Sequence, residues 1–165
     1  MINYYNKYGF PDLKDKEFIS NLKLYKTPES LIKKNVPKRL YMNIDLKDPL
    51  YSALSELEND DIKTWDGLFN IRPIRGKERV VEILISMGKF LEALKYMSAH
   101  SWGMAIDINA ATNKMYTKGD MNPRIVETFL KYEKKFNFIG FDVFRFYKKI
   151  CFEPSLCGSS ILCFS

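Results

Sequence analysis

The segment from Gly103 to Asn109 alternates between two kinds of side chain, which is the pattern of a half-buried β-strand. The apolar members would share one face of the strand: Met104, Ile106 and Ile108. The other members are small or polar: Gly103, Ala105, Asp107 and Asn109. Because small side chains beside a carboxylate leave space for a bound group, we predict that this second face lines a site.

Helical periodicity is visible in four other stretches, where apolar residues recur at intervals of three and four. These stretches are residues 15–25, 48–59, 77–97 and 123–135. A shorter helix is predicted over residues 28–34, with Thr27 as its cap and Pro28 in its first turn. Gly88 predicts a break inside the third stretch. Pro123 suits the first turn of the fourth, because its φ is already fixed near the helical value. Residues 136–146 and 150–153 have the aromatic and apolar content of two further strands.

Helices that alternate with a few short strands indicate an α+β domain. At 165 residues the chain is long enough for one domain, and its 46% hydrophobic content argues against intrinsic disorder. No apolar run is long enough to cross a bilayer, and the first residues lack the apolar core of a secretory signal. We therefore expect a protein made in the cytoplasm, with no membrane span.

The formal net charge of +6 favours polyanionic partners, which include nucleic acids and the anionic polymers of cell walls. The lysines are scattered along the chain, and no recognised nucleic-acid-binding motif accompanies them. We therefore expect no nucleic-acid partner.

His100 is the only histidine of the chain, and it precedes Asp107 by seven residues. An imidazole and a carboxylate, supplied by a loop and the strand after it, suit zinc or another borderline divalent ion. From the spacing alone, a hydrogen-bonded pair without a metal is the simpler interpretation. Both interpretations remain open at this point.

The string Ser-Ala-His-Ser-Trp-Gly-Met-Ala-Ile-Asp-Ile over residues 98–108 resembles the signature of the LAS-type zinc peptidases, Ser-x-His-x-x-Gly-x-Ala-x-Asp-Ile. This family includes the VanY-like D-alanyl-D-alanine carboxypeptidases and the phage endolysins that cut wall peptides. Residues 43–54 are similar to the lead-in helix of phage members, and residues 65–76 to their Asp-Gly-x-Phe-Asn-x-Arg segment. Residues 150–153 lie where those proteins have Met-His-Phe-Glu, so the likeness covers residues 40–154.

The resemblance implies the LAS fold, shared by hedgehog and DD-peptidase proteins, in which a small antiparallel sheet is flanked by helices. It divides the chain into a helical or irregular extension over residues 1–40, a peptidase domain over 41–154 and a tail over 155–165. It further implies a monomer that hydrolyses a peptidoglycan stem peptide, at D-Ala-D-Ala or at L-Ala-D-Glu. Without a secretion signal, such an enzyme would act on the cell wall only after release from the cell.

The same resemblance implies zinc as the cofactor, with His100, Asp107 and the residue at position 151 as its ligands. Arg72 matches the family arginine that stabilises an oxyanion or holds a substrate carboxylate, and Arg75 is the weaker alternative. Ser98 opens the signature, and we assign it with Arg72 to substrate binding.

Two positions depart from the family pattern. Cys151 replaces a histidine ligand; a thiolate binds zinc well but donates more charge, which makes the metal a weaker Lewis acid. Lys148 replaces the catalytic carboxylate, and a lysine cannot accept a proton unless its pKa is strongly lowered. Glu153 shares a face of the last predicted strand with Cys151 and is the catalytic candidate, although the family uses its glutamate there for support. Asp142 is a more distant possibility.

Two functions are compatible with these departures. The chain is a zinc metallopeptidase of the endolysin type whose activity Cys151 and Lys148 impair, or it is an inactive relative that still binds wall peptide or metal. The two functions differ in whether a peptide bond is cut.

Overall fold

The computed structural model describes residues 2–113 and 119–135. The predicted strands at 136–146 and 150–153, the tail at 155–165, and the site residues Lys148, Cys151 and Glu153 lie outside the described residues. None of the helices in the described ranges combines the length and the apolar character needed to span a bilayer.

The described residues form helices and short strands in a mixed order, which confirms the α+β class. The helices are α1 (Ile2–Tyr8), α2 (Lys16–Ser20), α3 (Glu29–Ile32), α4 (Lys47–Glu56), α5 (Glu78–Ser86), α6 (Phe90–Ala93) and α7 (Pro123–Lys135). The strands are β1 (Leu22–Lys26), β2 (Arg39–Asn43), β3 (Trp65–Gly67) and β4 (Asp107–Ile108). Short 3₁₀ turns cover Ile44–Leu46, Leu94–Tyr96 and Ala99–Trp102. We call the last of these the histidine turn, because it contains His100.

The first antiparallel sheet pairs β1 with β2, in a register that places Leu22 opposite Asn43. The predicted helix over residues 15–25 is therefore wrong in its second half. Asn21 ends α2 by donating its side-chain amide to the carbonyl of Glu17 at 2.9 Å. Beyond Asn21, pairing with a strand that is distant in sequence outweighs the local helical spacing.

The hydrophobic core extends through the N-terminal forty residues. Side chains from both sides of position 40 belong to one buried cluster, including Tyr4, Phe18, Leu31, Leu50, Leu54, Trp102, Val126 and Phe129. The Trp102 indole donates to the carbonyl of Gly9 at 3.0 Å, and the Tyr4 and Trp102 ring centroids are 5.6 Å apart. The N-terminal segment thus packs directly on the histidine turn, and position 40 lies inside β2.

The helices α4 and α7 lie where the apolar periodicity predicts them. Leu50 and Leu54 of α4 are buried, and so are Val126 and Phe129 of α7. Lys131 of α7 forms an ion pair with Glu56 at the end of α4, with 2.6 Å between Nζ and Oε1. The two helices pack against each other.

The predicted break at Gly88 is confirmed, since this residue has φ 71° and separates α5 from α6. A left-handed φ costs glycine little, because it has no Cβ. The apolar residues of the predicted helical stretch 77–97 are only partly internal: Val81, Leu94 and Met97 are buried, whereas Ile85 and Leu91 are exposed.

The second antiparallel sheet pairs β3 with β4 and places Gly67 opposite Asp107. The predicted strand over 103–109 is wrong except at Asp107 and Ile108. Gly103 has φ 64° and ends the histidine turn, and Asn109 leaves the strand with φ 52°. Residues 103–106 are all buried, so the predicted alternation does not produce one core face and one open face.

Candidate functional site

The histidine turn is fixed at both ends by polar contacts and by close packing. The Ser98 hydroxyl accepts a hydrogen bond from the His100 amide at 3.4 Å and caps the turn. At the other end, the Asn43 amide of β2 donates to the carbonyl of Gly103 at 3.2 Å. A Cβ at position 103 would lie 2.8 Å from the Asn43 nitrogen, so only glycine allows this approach. The main chain around His100 is therefore held against β2.

The His100 ring has one nitrogen committed to a main-chain group. Nδ1 lies 2.7 Å from the carbonyl oxygen of Leu68. A carbonyl oxygen only accepts, so Nδ1 carries the hydrogen and donates it. The other ring nitrogen, Nε2, lies 3.3 Å from Oδ2 of Asp107. The side chains of His100 and Asp107 are only 7% and 17% exposed.

This arrangement places two lone-pair atoms opposite each other in a nearly buried position. With its hydrogen on Nδ1, a neutral imidazole presents a lone pair at Nε2, and the ionised carboxylate presents only acceptors. Uncompensated contact of this kind is costly when water is largely excluded. The site therefore requires a positive group between Nε2 and Oδ2, which is either a proton or a metal cation.

The strand partner of Asp107 is a glycine, which places no side chain beside the carboxylate. Gly67 lies directly opposite, and even an added Cβ there would lie 3.9 Å from Asp107 Oδ2. On the neighbouring residue, Asp66, one carboxylate oxygen accepts from the Thr64 hydroxyl and from the Ala110 amide, both at 2.8 Å. These bonds connect the start of β3 to the residues that follow β4.

Arg72 approaches the same carboxylate oxygen from a more exposed side. Its NH2 group is 4.0 Å from Asp107 Oδ2, and the side chain is 28% exposed. Arg75 is exposed, and Glu78 follows it on α5. The pKa of Glu78 is lowered mainly by hydrogen bonds from its own amide and that of Gly76, with smaller contributions from the charges of Arg72 and Arg75. Among the described residues, Arg72 and not Arg75 has an ion-pair contact with Asp107, since its NH2 group is the one within 4.0 Å of Oδ2.

The structure brings together three of the residues that the sequence assigns to the site: His100, Asp107 and Arg72. Ser98 is adjacent but buried, and its hydroxyl is engaged by the His100 amide. The described residues contain no group of three histidine, cysteine, aspartate or glutamate side chains placed to hold a metal ion. Cys151 and Glu153 lie outside the described ranges, so their assignments stay predictions.

Three groups that shape the site are not predicted by the sequence: the carbonyl of Leu68, Ser101 and Gly67. The carbonyl of Leu68 carries no sequence signal, because every residue has one. Ser101 occupies a variable position of the signature, and its partners are more than twenty residues away. Gly67 belongs to an Asp-Gly dipeptide, which is common in turns and does not by itself indicate a site.

Comparisons with protein-family models, with curated proteins and with solved structures give no match for this chain. The family resemblance of residues 98–108 stays a prediction, and the site is interpreted below from its own geometry.

Proposed function

We propose that this protein is a zinc-dependent peptidase of the LAS type that acts on the peptidoglycan stem peptide, at D-Ala-D-Ala or L-Ala-D-Glu. The observation that carries the proposal is the close approach of His100 Nε2 to Asp107 Oδ2 at 3.3 Å, while Nδ1 donates to the carbonyl of Leu68. The resemblance of residues 98–108 names the same two side chains as metal ligands.

The donor set fits zinc in chemistry and in spacing. Two ligands of a tetrahedral zinc ion, with bonds of about 2.0–2.2 Å, lie about 3.3–3.6 Å apart. The observed Nε2–Oδ2 distance of 3.3 Å lies at the short end of that range. Histidines that bind metals usually donate their other N–H to a carbonyl or carboxylate, as His100 does to Leu68. In this proposal Cys151 provides the third ligand.

Zinc bound at this pair would supply Lewis-acid polarisation of the scissile carbonyl. Arg72 would hold a carboxylate of the peptide, because its guanidinium lies at the exposed edge of the site and presents paired N–H donors. Gly67 would leave room for the peptide beside Asp107. Glu153 is the residue that we assign to proton transfer, since Lys148 stands at the family's carboxylate position.

The proposal is tested by hydrolysis of two defined peptides, one ending in D-Ala-D-Ala and one containing L-Ala-D-Glu. We expect slow zinc-dependent cleavage of one of them, abolished by a chelator and by His100→Ala. The double variant Cys151→His with Lys148→Asp should be faster by a factor of about 10²–10⁴, because it restores an aligned base. Cleavage that survives both chelation and His100→Ala would refute the metal mechanism.

A second candidate function is binding of wall peptide without turnover. The observation in its favour is the Arg72 guanidinium, which already supplies a positive charge 4.0 Å from Asp107 Oδ2. A protonated His100 beside it would balance the carboxylate without any metal. In that case the same peptides would bind but remain intact, with or without zinc, and Arg72→Met would weaken their binding.

A further inference from the structure

The hydroxyl of Ser101 binds both main-chain polar groups of Arg72. Oγ donates to the Arg72 carbonyl at 3.0 Å and accepts from the Arg72 amide at 3.1 Å. Ser101 is completely buried in the histidine turn. A buried hydroxyl that forms two hydrogen bonds with one distant residue fixes that residue's main chain closely, because the Arg72 amide would lose its hydrogen bond without Ser101.

Further main-chain bonds connect the same two segments. The Ser98 amide donates to the Arg72 carbonyl at 3.0 Å, and the Asn70 amide donates to the His100 carbonyl at 3.1 Å. The His100 ring adds its bond to Leu68. The segment 68–72 is therefore tied to the histidine turn at three residues, and Ser101 provides the side-chain bonds at the arginine end.

The position of the Arg72 side chain depends on this attachment. Its guanidinium contacts Asp107 Oδ2 at 4.0 Å and the carbonyl of Pro73 at 3.5 Å, both near the limits for such contacts. Such long contacts hold a partly exposed guanidinium weakly. A fixed main chain at Arg72 therefore contributes much of the order of its side chain.

We infer that Ser101 is a positioning residue: it holds the Arg72 guanidinium beside the carboxylate of Asp107, at the edge where a substrate carboxylate would bind. The role in substrate binding rests on the proposed function, whereas the ordering of Arg72 does not. Arg72 and a bound cation would compete for the same oxygen, Asp107 Oδ2. Ser101 thereby also influences how strongly the His100–Asp107 pair binds zinc.

The first measurement uses zinc-free protein, with ¹⁵N relaxation of the Arg72 Nε–H group as the readout. In Ser101→Ala the order parameter of this group should fall clearly below the wild-type value, towards the range of flexible groups below about 0.6. The matched control is Ser55→Ala, which removes a hydroxyl bonded to the Tyr51 carbonyl at 2.7 Å on α4. Ser101→Cys keeps the side-chain size with weaker hydrogen bonds, and it replaces Ser101→Ala if that variant does not fold. An order parameter equal to that of the wild type would overturn the inference.

The second measurement is the zinc dissociation constant, obtained by competition with a chelating dye. Ser101→Ala should tighten zinc binding about threefold or more in the wild type, and less than about twofold in the Arg72→Met background, because coupled residues are not additive. An equal effect in both backgrounds would show that Ser101 acts on the turn and not through Arg72. If no variant binds zinc, the proposed function fails, and the relaxation measurement alone decides the role of Ser101.

Discussion

Replacement of Gly103 by alanine tests how the histidine turn is attached to the first sheet. The added Cβ would lie 2.8 Å from the Asn43 nitrogen, 3.1 Å from Leu22 Cδ2 and 3.2 Å from Met42 Cα. Two of these three atoms belong to the main chain of β2, which cannot move aside as a side chain can. The turn must therefore move away from β2, and the Asn43–Gly103 hydrogen bond of 3.2 Å must lengthen.

The expected loss of stability has two parts. An alanine in the left-handed conformation, at φ 64°, costs about 1–2 kcal/mol. Overlap with a packed interior adds about 1–3 kcal/mol, which gives a total of about 2–5 kcal/mol. Gly88 provides the matched control, because it has φ 71° and no atom within 4 Å of an added Cβ. Gly88→Ala should lose only the conformational part.

The assay is equilibrium unfolding in urea, followed by far-UV circular dichroism and by tryptophan fluorescence. The free energy of unfolding should be lower in Gly103→Ala than in Gly88→Ala by at least about 1 kcal/mol, which is the overlap contribution. Equal losses in the two variants would refute the claim that the turn packs directly on β2.

Three further changes test other parts of the fold by the same unfolding assay. Lys34→Met should lower the free energy of unfolding by about 1–2 kcal/mol, because the Lys34 ammonium group donates to three carbonyls at the end of α4. The control Lys33→Met, at an exposed position, should change the free energy of unfolding little. Asn109→Ala should lower the free energy of unfolding by about 3 kcal/mol. The buried Asn109 side chain accepts from two main-chain amides at 2.7 and 3.0 Å and donates to a carbonyl at 2.8 Å, and the variant loses all three bonds. Burial, with a hydrogen bond to Asp45, raises the pKa of the Tyr8 phenol to about 12. The contribution of the Tyr8 phenol to the free energy of unfolding is therefore complete below about pH 10 and is lost as the pH rises through 12. Over that interval the free energy of unfolding of Tyr8→Phe should decline less than that of the wild type.

The helices could be predicted where local signals agree with the tertiary structure. The apolar period of α4 and α7, Pro123 at the start of α7 and Gly88 between α5 and α6 all correspond to the structure. The strand β1 could not be predicted, because residues 22–26 are extended by pairing with β2 and not by their own preferences. The alternation over 103–109 predicts a longer strand than β4, which covers only Asp107 and Ile108. Gly103 instead ends the histidine turn in a left-handed conformation and lies against β2, a contact that the local sequence does not show.

The site shows a similar division between what sequence can and cannot predict. His100, Asp107 and Arg72 were predicted from residue type and resemblance, and the structure brings them within 4.0 Å of one carboxylate oxygen. The Leu68 carbonyl that fixes the histidine tautomer could not be predicted, because its contribution depends on main-chain placement. Ser101 was overlooked because its hydrogen bonds join positions 29 residues apart.

The central claim, that His100 Nε2 and Asp107 hold a divalent cation, is most directly tested by long-range ¹H–¹⁵N NMR of the imidazole. The chain has one histidine, so its ring signals are unambiguous. With ¹¹³Cd²⁺ substituting for zinc, the account predicts cadmium coupling at Nε2 and a retained proton at Nδ1, the nitrogen that donates to Leu68. The coupling should disappear in Asp107→Asn at the same cadmium concentration. A ring whose Nε2 stays protonated and unshifted when cadmium or zinc is added would contradict the account.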